Sequence, residues 1–411
     1  MQGLHLTADL YRCGCDPRLL VDAQALARRC RDAVADAGLT LVADRFFAFP
    51  PWQGQAGGVT GALLLAESHL AVHTWPERGG VTLDVYVCNF STDNSGRAER
   101  LMQSMVEAFA PAEQHAQRLI RGAPDDGAAP HGLLLEWLDD DAAFGYRASA
   151  PVETIRTPYQ TLDVLDTRRF GRMFRLDGRA MTSERDEFFY HENIVHPAAL
   201  AHPAPASALV IGGGDGGSTE ELLKHPTMRR VVMAELDAEV VRMARRHLRA
   251  VHRGALDDPR LEVRIEDGFA FVERTDERFD LIVLDLTDPD TPAHRLYTRE
   301  FFALARRALA PGGAVALHLG TPVFKPELVA RLVGELRATF AIVRPYFLYV
   351  PLYGALWGMA CASDTLDPLA LSADEAADRI ARRELRDLRY YNADVHRALF
   401  ALPTFVRDLL A

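Results

Sequence analysis

The sequence predicts three structural parts: an α+β domain, a small β domain, and a Rossmann-like α/β domain with a doubly wound parallel sheet. Two segments of helical periodicity among strand-like apolar runs predict the first part. Strands and helices that alternate from residue 206 onward predict the third. Between them the sequence shows short strands and turns. We expect these domains at 1–115, 133–200 and 201–411, and a linker by composition at 116–132.

The composition limits the class of protein and its partners. The 411 residues carry a net charge of −11, with 48% hydrophobic and 25% charged residues, as in ordinary globular proteins. A nucleic-acid-binding protein normally has a basic patch, so we expect no nucleic acid as partner. No apolar run reaches about 18 residues and no signal-peptide pattern opens the chain, so we expect no membrane and a cytoplasmic location. Five scattered cysteines predict neither a disulfide framework nor a metal site.

The informative stretch of the first part is AESHLAVHTWPE at 66–77. A serine with two nearby histidines is compatible with a hydrolase, but the nucleophile elbow is lacking. The simpler interpretation is a strand with a polar face. On a straight strand Ser68 and His73 lie on opposite faces, so their cooperation would need a bulge or a turn. Asp84, Tyr86 and Cys88 should share one face of the next strand.

These residues resemble the bacterial pyruvoyl-dependent S-adenosylmethionine (AdoMet) decarboxylases, through ESH at 67–69, HTWPE at 73–77 and the strand that ends at Cys88. The resemblance implies self-cleavage between Glu67 and Ser68 that converts Ser68 into a pyruvoyl group. It also implies that His73 assists the elimination and that Cys88 protonates the carbanion after decarboxylation. A pyruvoyl carbonyl forms a Schiff base with an amino acid and serves as electron sink.

Departures from that family leave other interpretations open. Phe47 stands where histidine is common, so ornithine or arginine remain alternative substrates of the first domain. A catalytically inactive module for assembly is a further alternative. The resembled decarboxylases commonly share sites across a dimer, which implies a homo-oligomer, either a dimer or a tetramer.

The third part carries acidic residues at the ends of predicted strands. An apolar run at 279–284 ends in Asp285, with Asp288 three residues later, and the loop GGGDGG at 212–217 contains Asp215. In an open α/β sheet, ligands bind at the carboxyl ends of the strands. Glu235, about 20 residues past the loop, is suited to ribose hydroxyls. An AdoMet-type methyltransferase fits this pattern, but the clustered acids favour a cationic amine and a carboxylate base near neutral pH.

From about residue 133 the chain resembles the spermidine synthases, through LDG at 176–178, ERDEF at 184–188, the glycine loop and the Asp285–Asp288 motif. The resemblance implies that Asp285 is the general base and that His191, Asp215 and Asp288 contact amines. It implies a channel lined by Tyr190 and Tyr353. The methylthioadenosine part of the donor would be held by Gln160, Glu235, Asp267, Gly268 and Pro292.

Together the two resemblances imply a bifunctional enzyme of polyamine biosynthesis. The first domain would decarboxylate AdoMet, and the third would transfer the aminopropyl group of decarboxylated AdoMet to putrescine, which gives spermidine and methylthioadenosine. Gly320 stands where a glutamate is common after the preceding strand, which removes a possible amine ligand. Another amine acceptor is therefore an open alternative.

Overall fold

The computed structural model describes residues 2–52, 54–66, 68–89, 93–122, 132–289 and 291–411. The chain divides into two compact units, and the division falls between residues 130 and 131. Glu67, on one side of the predicted cleavage site, lies outside the described residues, as does most of the predicted linker.

The first unit is a six-stranded antiparallel sheet with helices. Its strands, in the spatial order β2-β3-β4-β5-β1-β6, are β1 (Gln2–Cys13), β2 (Leu41–Ala48), β3 (Val59–Leu65), β4 (Ser68–Trp75), β5 (Gly80–Cys88) and β6 (Pro111–Gly122). Its helices are α1 (Arg18–Val21), α2 (Ala23–Asp36) and α3 (Ser95–Phe109). The α+β prediction for this part is confirmed.

One face of this sheet forms the core of the first unit. Leu70 and Val72 of β4 and Val85 of β5 are buried in one cluster with the apolar sides of α2 and α3. Because side chains alternate along a strand, the intervening residues of β4 and β5 point to the opposite, polar face.

The predicted linker begins too early. Residues 116–122 belong to β6, which pairs with β1 along most of its length. Nearly every described side chain of β6 is exposed, so the alternation of apolar and polar residues that identifies a strand is missing here.

The second unit begins with a five-stranded antiparallel sheet. Its strands, in the order β11-β10-β9-β8-β7, are β7 (Gly132–Trp137), β8 (Ala143–Arg156), β9 (Thr161–Thr167), β10 (Gly171–Leu176) and β11 (Arg179–Ser183). This sheet corresponds to the predicted small β domain.

The prediction of short strands and turns up to residue 200 is wrong at its end, where α4 (Glu187–Ala201) forms a helix. All but one of its 15 residues are buried, so it has no polar side and no helical periodicity of hydrophobic residues. The helix packs on the large sheet that follows, where Tyr346 donates a 2.8 Å hydrogen bond to the carbonyl of Asn193. A boundary at residue 200 therefore separates α4 from the structure that buries it.

The large sheet has seven strands in the order β14-β13-β12-β15-β16-β18-β17. They are β12 (Ser207–Gly212), β13 (Arg230–Glu235), β14 (Leu261–Ile265), β15 (Phe279–Asp285), β16 (Leu309–Gly320), β17 (Ile342–Val350) and β18 (Ala355–Ser363). Strands β12 to β16 run parallel, and β18 is antiparallel to both of its neighbours. The Rossmann-like prediction is confirmed, with one reversed strand added.

Helices cover both faces of this sheet. They are α5 (Gly217–Leu223), α6 (Ala238–His247), α7 (Arg249–His252), α8 (Gly268–Arg274), α9 (Arg299–Arg307) and α10 (Pro326–Arg337), followed by α11 (Ala373–Arg382), α12 (Ala393–Leu399) and α13 (Thr404–Leu409). Consecutive residues of β12 are buried in different hydrophobic clusters: Val210 lies in one cluster and Leu209 in the other. Within the described ranges, none of the helices has the length and apolar character required to cross a membrane.

Candidate active site

A cavity of about 530 Å³ lies in the second unit, at the carboxyl ends of the parallel strands. β12 lies between β13 and β15 in this sheet, so the strand order reverses at β12, and such a switch point is where open α/β sheets bind ligands. Ten residues predicted for the site line this one cavity: Gln160, Tyr190, His191, Asp215, Glu235, Asp267, Gly268, Asp285, Asp288 and Tyr353. The side chain of the remaining one, Pro292, lies outside what the structure describes.

The glycine loop follows β12 and packs on the end of β15. The N–H of Gly213 donates a 2.8 Å hydrogen bond to the carbonyl of Asp285. Gly213 has φ of 63°, and a Cβ there would lie 2.7 Å from Val210 Cγ1 and 3.0 Å from Asp285 Oδ2. Glycine is needed here both for the backbone conformation and for the close approach.

The carboxylate of Glu235 is held at the end of β13, next to the glycine loop. It accepts hydrogen bonds from the N–H of Gly214 at 3.2 Å and from the N–H of Asp237 at 2.9 Å. Burial raises the pKa of Glu235 to about 7, against the effect of these two bonds. The carboxylate is thus fixed in the cavity wall, as a ligand for hydroxyl groups requires.

Two further residues that were predicted to bind the aminopropyl donor also line the cavity. Asp267 caps α8 by accepting from the N–H of Ala270 at 3.0 Å. Gln160 donates from Nε2 to Asp237 Oδ2 at 3.2 Å. Their contacts with the donor nucleoside stay predictions.

The acidic centre combines one histidine with two aspartates. One ligand atom each of His191, Asp215 and Asp285 lies within 4.8 Å of the other two. Burial, and then the charge of Asp215, raise the pKa of Asp285 to about 6. Its Oδ2 is buried and has no hydrogen-bond partner among the residues described. A carboxylate with a pKa near neutrality fits the role of a general base.

His191 supplies a positive charge to this centre. Burial lowers its pKa, but Asp215 and Glu187 outweigh burial and raise the pKa well above its ordinary value. Nδ1 donates to Glu187 at 3.0 Å, and Nε2 lies 3.7 Å from Asp215. An imidazolium has no free lone pair for a metal ion, and its positive charge favours the ionised form of the neighbouring Asp285.

Aromatic rings form another part of the wall. The ring centroids of Tyr190 and Tyr353 lie 6.0 Å apart, and those of Tyr353 and Trp357 lie 4.7 Å apart. Tyr353 donates to the carbonyl of Met181 at 2.8 Å, which fixes its ring. The sequence prediction includes the two tyrosines but not Trp357, which a strand-like apolar run does not distinguish from a core residue.

The sequence prediction also missed charged residues of the wall, among them Glu136 of β7 and Arg179 of β11. Arg179 donates to Asp288 at 2.7 Å. Both come from the antiparallel sheet, far from the acidic motifs in sequence. In the sequence, the signal that could have indicated this pair was the arginine directly after the LDG turn.

In the first unit, strand register decides which predicted residues meet. Ser68 pairs with Val87 on the core side, whereas His73 pairs with Thr82 on the polar side. Neither ladder of β4 has a bulge, so Ser68 and His73 lie on opposite faces of the described chain. His73 Nδ1 is 2.7 Å from the hydroxyl of Thr60.

Cys88 ends β5 and shares a face with Asp84 and Tyr86, as predicted. On that face Asp84 is hydrogen-bonded to His5 at 2.8 Å and to His69 at 3.1 Å. The hydroxyl of Ser68 is buried and has no hydrogen-bond partner within the described ranges. A buried, uncommitted hydroxyl beside the predicted scissile bond fits the serine that a pyruvoyl group requires as its precursor.

A glycine loop, a strand-end glutamate and an acidic centre at the switch point of a Rossmann-like sheet define an AdoMet-type transferase that handles amines. Residues 187–369 match the family model of the spermine/spermidine synthase domain, and residues 4–122 match that of S-adenosylmethionine decarboxylase. The chain belongs to the spermine/spermidine synthase family and carries an S-adenosylmethionine decarboxylase domain before it. It is a fused aminopropyltransferase and AdoMet decarboxylase of polyamine biosynthesis.

Individual relatives agree with this assignment. The polyamine aminopropyltransferase of Nitrosomonas europaea is 49% identical over 288 residues, which cover 70% of this chain and 89% of that protein. The corresponding protein of Bacillus subtilis is 36% identical over 265 residues, 64% of this chain and 93% of its own length. The crystal structure of spermidine synthase from Thermotoga maritima superposes with a TM-score of 0.65 at 31% identity, over 70% of this chain and 97% of that one. A spermidine synthase in complex with the transition-state analogue AdoDATO superposes with a TM-score of 0.66 at 30% identity, over 70% of this chain and 98% of that one.

Proposed function

We propose that the second unit transfers the aminopropyl group of decarboxylated AdoMet to putrescine. The observation that carries this proposal is the buried carboxylate of Asp285, whose pKa burial raises to about 6, in a cavity that the nucleotide-type glycine loop also lines. The structural relative solved with AdoDATO supports a donor of this kind.

The reaction needs an amine without its proton. Asp285 takes a proton from the acceptor amine, and the nitrogen lone pair forms a bond to the aminopropyl carbon next to the sulfonium. The carbon–sulfur bond breaks, its electron pair stays on sulfur, and methylthioadenosine leaves. Because Asp285 is largely ionised above pH 6, it can accept the proton at neutral pH. Glu235, Asp267 and Gln160 hold the nucleoside of the donor in this proposal.

The test of this proposal uses purified enzyme with decarboxylated AdoMet and one amine at a time. We expect equimolar methylthioadenosine and spermidine from putrescine. Formation of methylthioadenosine with another amine, and not with putrescine, would replace the acceptor and leave the reaction class intact. No methylthioadenosine with any amine would reject the proposal.

We further propose that the first unit forms a pyruvoyl group from Ser68 and decarboxylates AdoMet. The observation that carries it is the buried hydroxyl of Ser68 at the start of β4, which has no hydrogen-bond partner among the described residues. This hydroxyl attacks the carbonyl of Glu67 and replaces the peptide nitrogen as the acyl acceptor. Elimination of the ester then releases the Glu67 carboxylate, and hydrolysis releases the former serine nitrogen as ammonia. Once formed, the pyruvoyl carbonyl supplies an electron sink for loss of carbon dioxide.

Cleavage and substrate are tested separately. Mass spectrometry should show fragments 1–67 and 68–411, the second blocked to Edman degradation. Carbon dioxide release is then measured from labelled AdoMet, ornithine and arginine. Release from AdoMet is expected; release from ornithine or arginine alone would change the substrate, and an intact chain that releases none would favour an inactive module. The polar face of the first sheet, which no helix of the described residues covers, favours a homo-oligomer, and the absence of a disulfide among the five cysteines of the described chain favours the cytoplasm.

A further inference from the structure

The cavity wall contains a permanent cation paired with one of the acidic residues. Arg179 Nη1 donates to Asp288 Oδ2 at 2.7 Å, and the side chains are 38% and 23% exposed. Both residues line the cavity. The pair joins β11 of the small sheet to the loop after β15, three residues beyond Asp285.

A third charged group belongs to the same part of the wall. Glu136 accepts a 3.0 Å hydrogen bond from the N–H of Ala180, the residue next to Arg179. Burial raises the pKa of Glu136 to about 7, and Asp288 adds to this effect while Arg179 opposes it. Glu136 therefore carries only part of a negative charge near neutral pH.

The charge balance determines what this wall can bind. A guanidinium stays protonated at all physiological pH values and pairs well with a carboxylate. The negative charge of Asp288 is thus balanced by Arg179 before any substrate binds. An ammonium that approaches Asp288 must compete with Arg179, and it meets a like charge if Arg179 stays in place.

Acceptor amines differ in the number of their ammonium groups. A diamine has one charged nitrogen left after the attacking nitrogen has lost its proton, whereas a triamine has two. Building on the proposed aminopropyl transfer, we propose that Arg179 is a specificity-determining residue that disfavours triamine acceptors relative to diamines. It does so by occupying the carboxylate of Asp288 that the additional ammonium would need.

The experiment compares putrescine and spermidine as acceptors at saturating decarboxylated AdoMet. In Arg179→Gln, the ratio of kcat/KM for spermidine over putrescine should rise at least tenfold. Arg179→Met provides a second neutral variant of similar length. Arg179→Lys keeps the charge and should stay within twofold of the wild-type ratio.

A matched control is available on the neighbouring strand. Arg175 of β10 donates to the carbonyl of Gly178 at 2.9 Å and is not among the residues that line the cavity. Arg175→Gln should also leave the ratio within twofold. A ratio within twofold of wild type in both Arg179→Gln and Arg179→Met, with normal methylthioadenosine binding, would overturn the inference.

A binding measurement separates this inference from the proposed reaction. Putrescine and spermidine are titrated calorimetrically into protein saturated with methylthioadenosine, where no turnover occurs. Tighter spermidine binding by Arg179→Gln, tenfold or more, supports the role of Arg179 even if wild type transfers to neither amine. Normal transfer to putrescine with unchanged spermidine affinity in that variant rejects the inference and leaves the reaction standing.

Discussion

His191 donates from Nδ1 to Glu187, one turn earlier on α4, across 3.0 Å, and both side chains are almost fully buried. This carboxylate helps to hold the pKa of His191 well above its ordinary value. The resulting imidazolium lies beside Asp285 and lowers the pKa of that carboxyl, against the larger effects of burial and Asp215. The ionisation of the proposed base therefore depends on a residue that does not line the cavity.

We predict that Glu187→Gln moves the acidic limb of the pH profile to higher pH. Loss of the carboxylate lowers the pKa of His191, and a weaker positive charge lets the pKa of Asp285 rise above about 6. The measurement is kcat/KM for transfer between pH 5 and 9, since this quantity reports the ionisation of the free enzyme. The control is Glu221→Gln, which removes a second buried carboxylate bonded to a histidine of α4, His196, outside the cavity. An acidic limb that stays in place in Glu187→Gln would reject the coupling.

Gly213→Ala should destabilise the second unit more than an alanine at another left-handed glycine. Gly213 and Gly254 both have positive φ, at 63° and 98°. A Cβ on Gly213 would meet Val210 at 2.7 Å, whereas a Cβ on Gly254 would meet nothing within 4 Å. The backbone cost of about 1 kcal/mol is common to both, so the excess at Gly213 measures the steric clash with Val210 of β12. Thermal unfolding provides the comparison, and equal losses of Tm would contradict it.

The sequence located three carboxylates of the cavity because they lie at or just beyond the ends of strands of one parallel sheet. Glu235 ends β13, Asp285 ends β15 and Asp215 lies in the glycine loop after β12, and parallel strands bring their carboxyl ends to one edge. Arg179 and Glu136 were not predicted, because their place depends on how a separate antiparallel sheet packs beside that edge. The helical state of α4 was missed for a related reason. A helix buried on all sides lacks the periodic pattern that only a polar face creates.

Cys88→Ala should separate self-cleavage from decarboxylation in the first unit. Cys88 lies at the end of β5 on the polar face, whereas Ser68 faces the core side of the neighbouring strand. The variant should therefore still cleave into fragments 1–67 and 68–411, while carbon dioxide release from AdoMet falls about 10²–10⁴-fold, the usual effect of losing a general acid.

Two measurements check this assignment of Cys88, namely the mass of the chains and the release of labelled carbon dioxide. The buried Cys30 of α2 offers a control, since Cys30→Ala removes a thiol from the core and not from the polar face. Failure of Cys88→Ala to cleave would give the thiol a role in processing instead. Full decarboxylation by the cleaved variant would remove Cys88 from the mechanism.

Asp285→Asn should abolish most aminopropyl transfer and leave donor binding and decarboxylation unchanged. A lost general base typically lowers the rate about 10²–10⁴-fold, and asparagine keeps the size of the side chain. Affinity for methylthioadenosine should persist because Glu235 and Asp267 are untouched. Asp280→Asn is the matched control: Asp280 lies near the other end of β15, where it accepts from the N–H of Ala206 at 2.8 Å, and it does not line the cavity.

The same variants test whether the two units work independently. Each unit has its own core and its own set of predicted catalytic residues, so Asp285→Asn should release carbon dioxide from AdoMet at the wild-type rate. Conversely, Ser68→Ala should remain one chain of 411 residues and transfer normally when decarboxylated AdoMet is supplied. Near-normal transfer by Asp285→Asn would assign the base elsewhere. Loss of both activities in either variant, in protein that still unfolds cooperatively at the wild-type temperature, would mean that the two reactions depend on a common site.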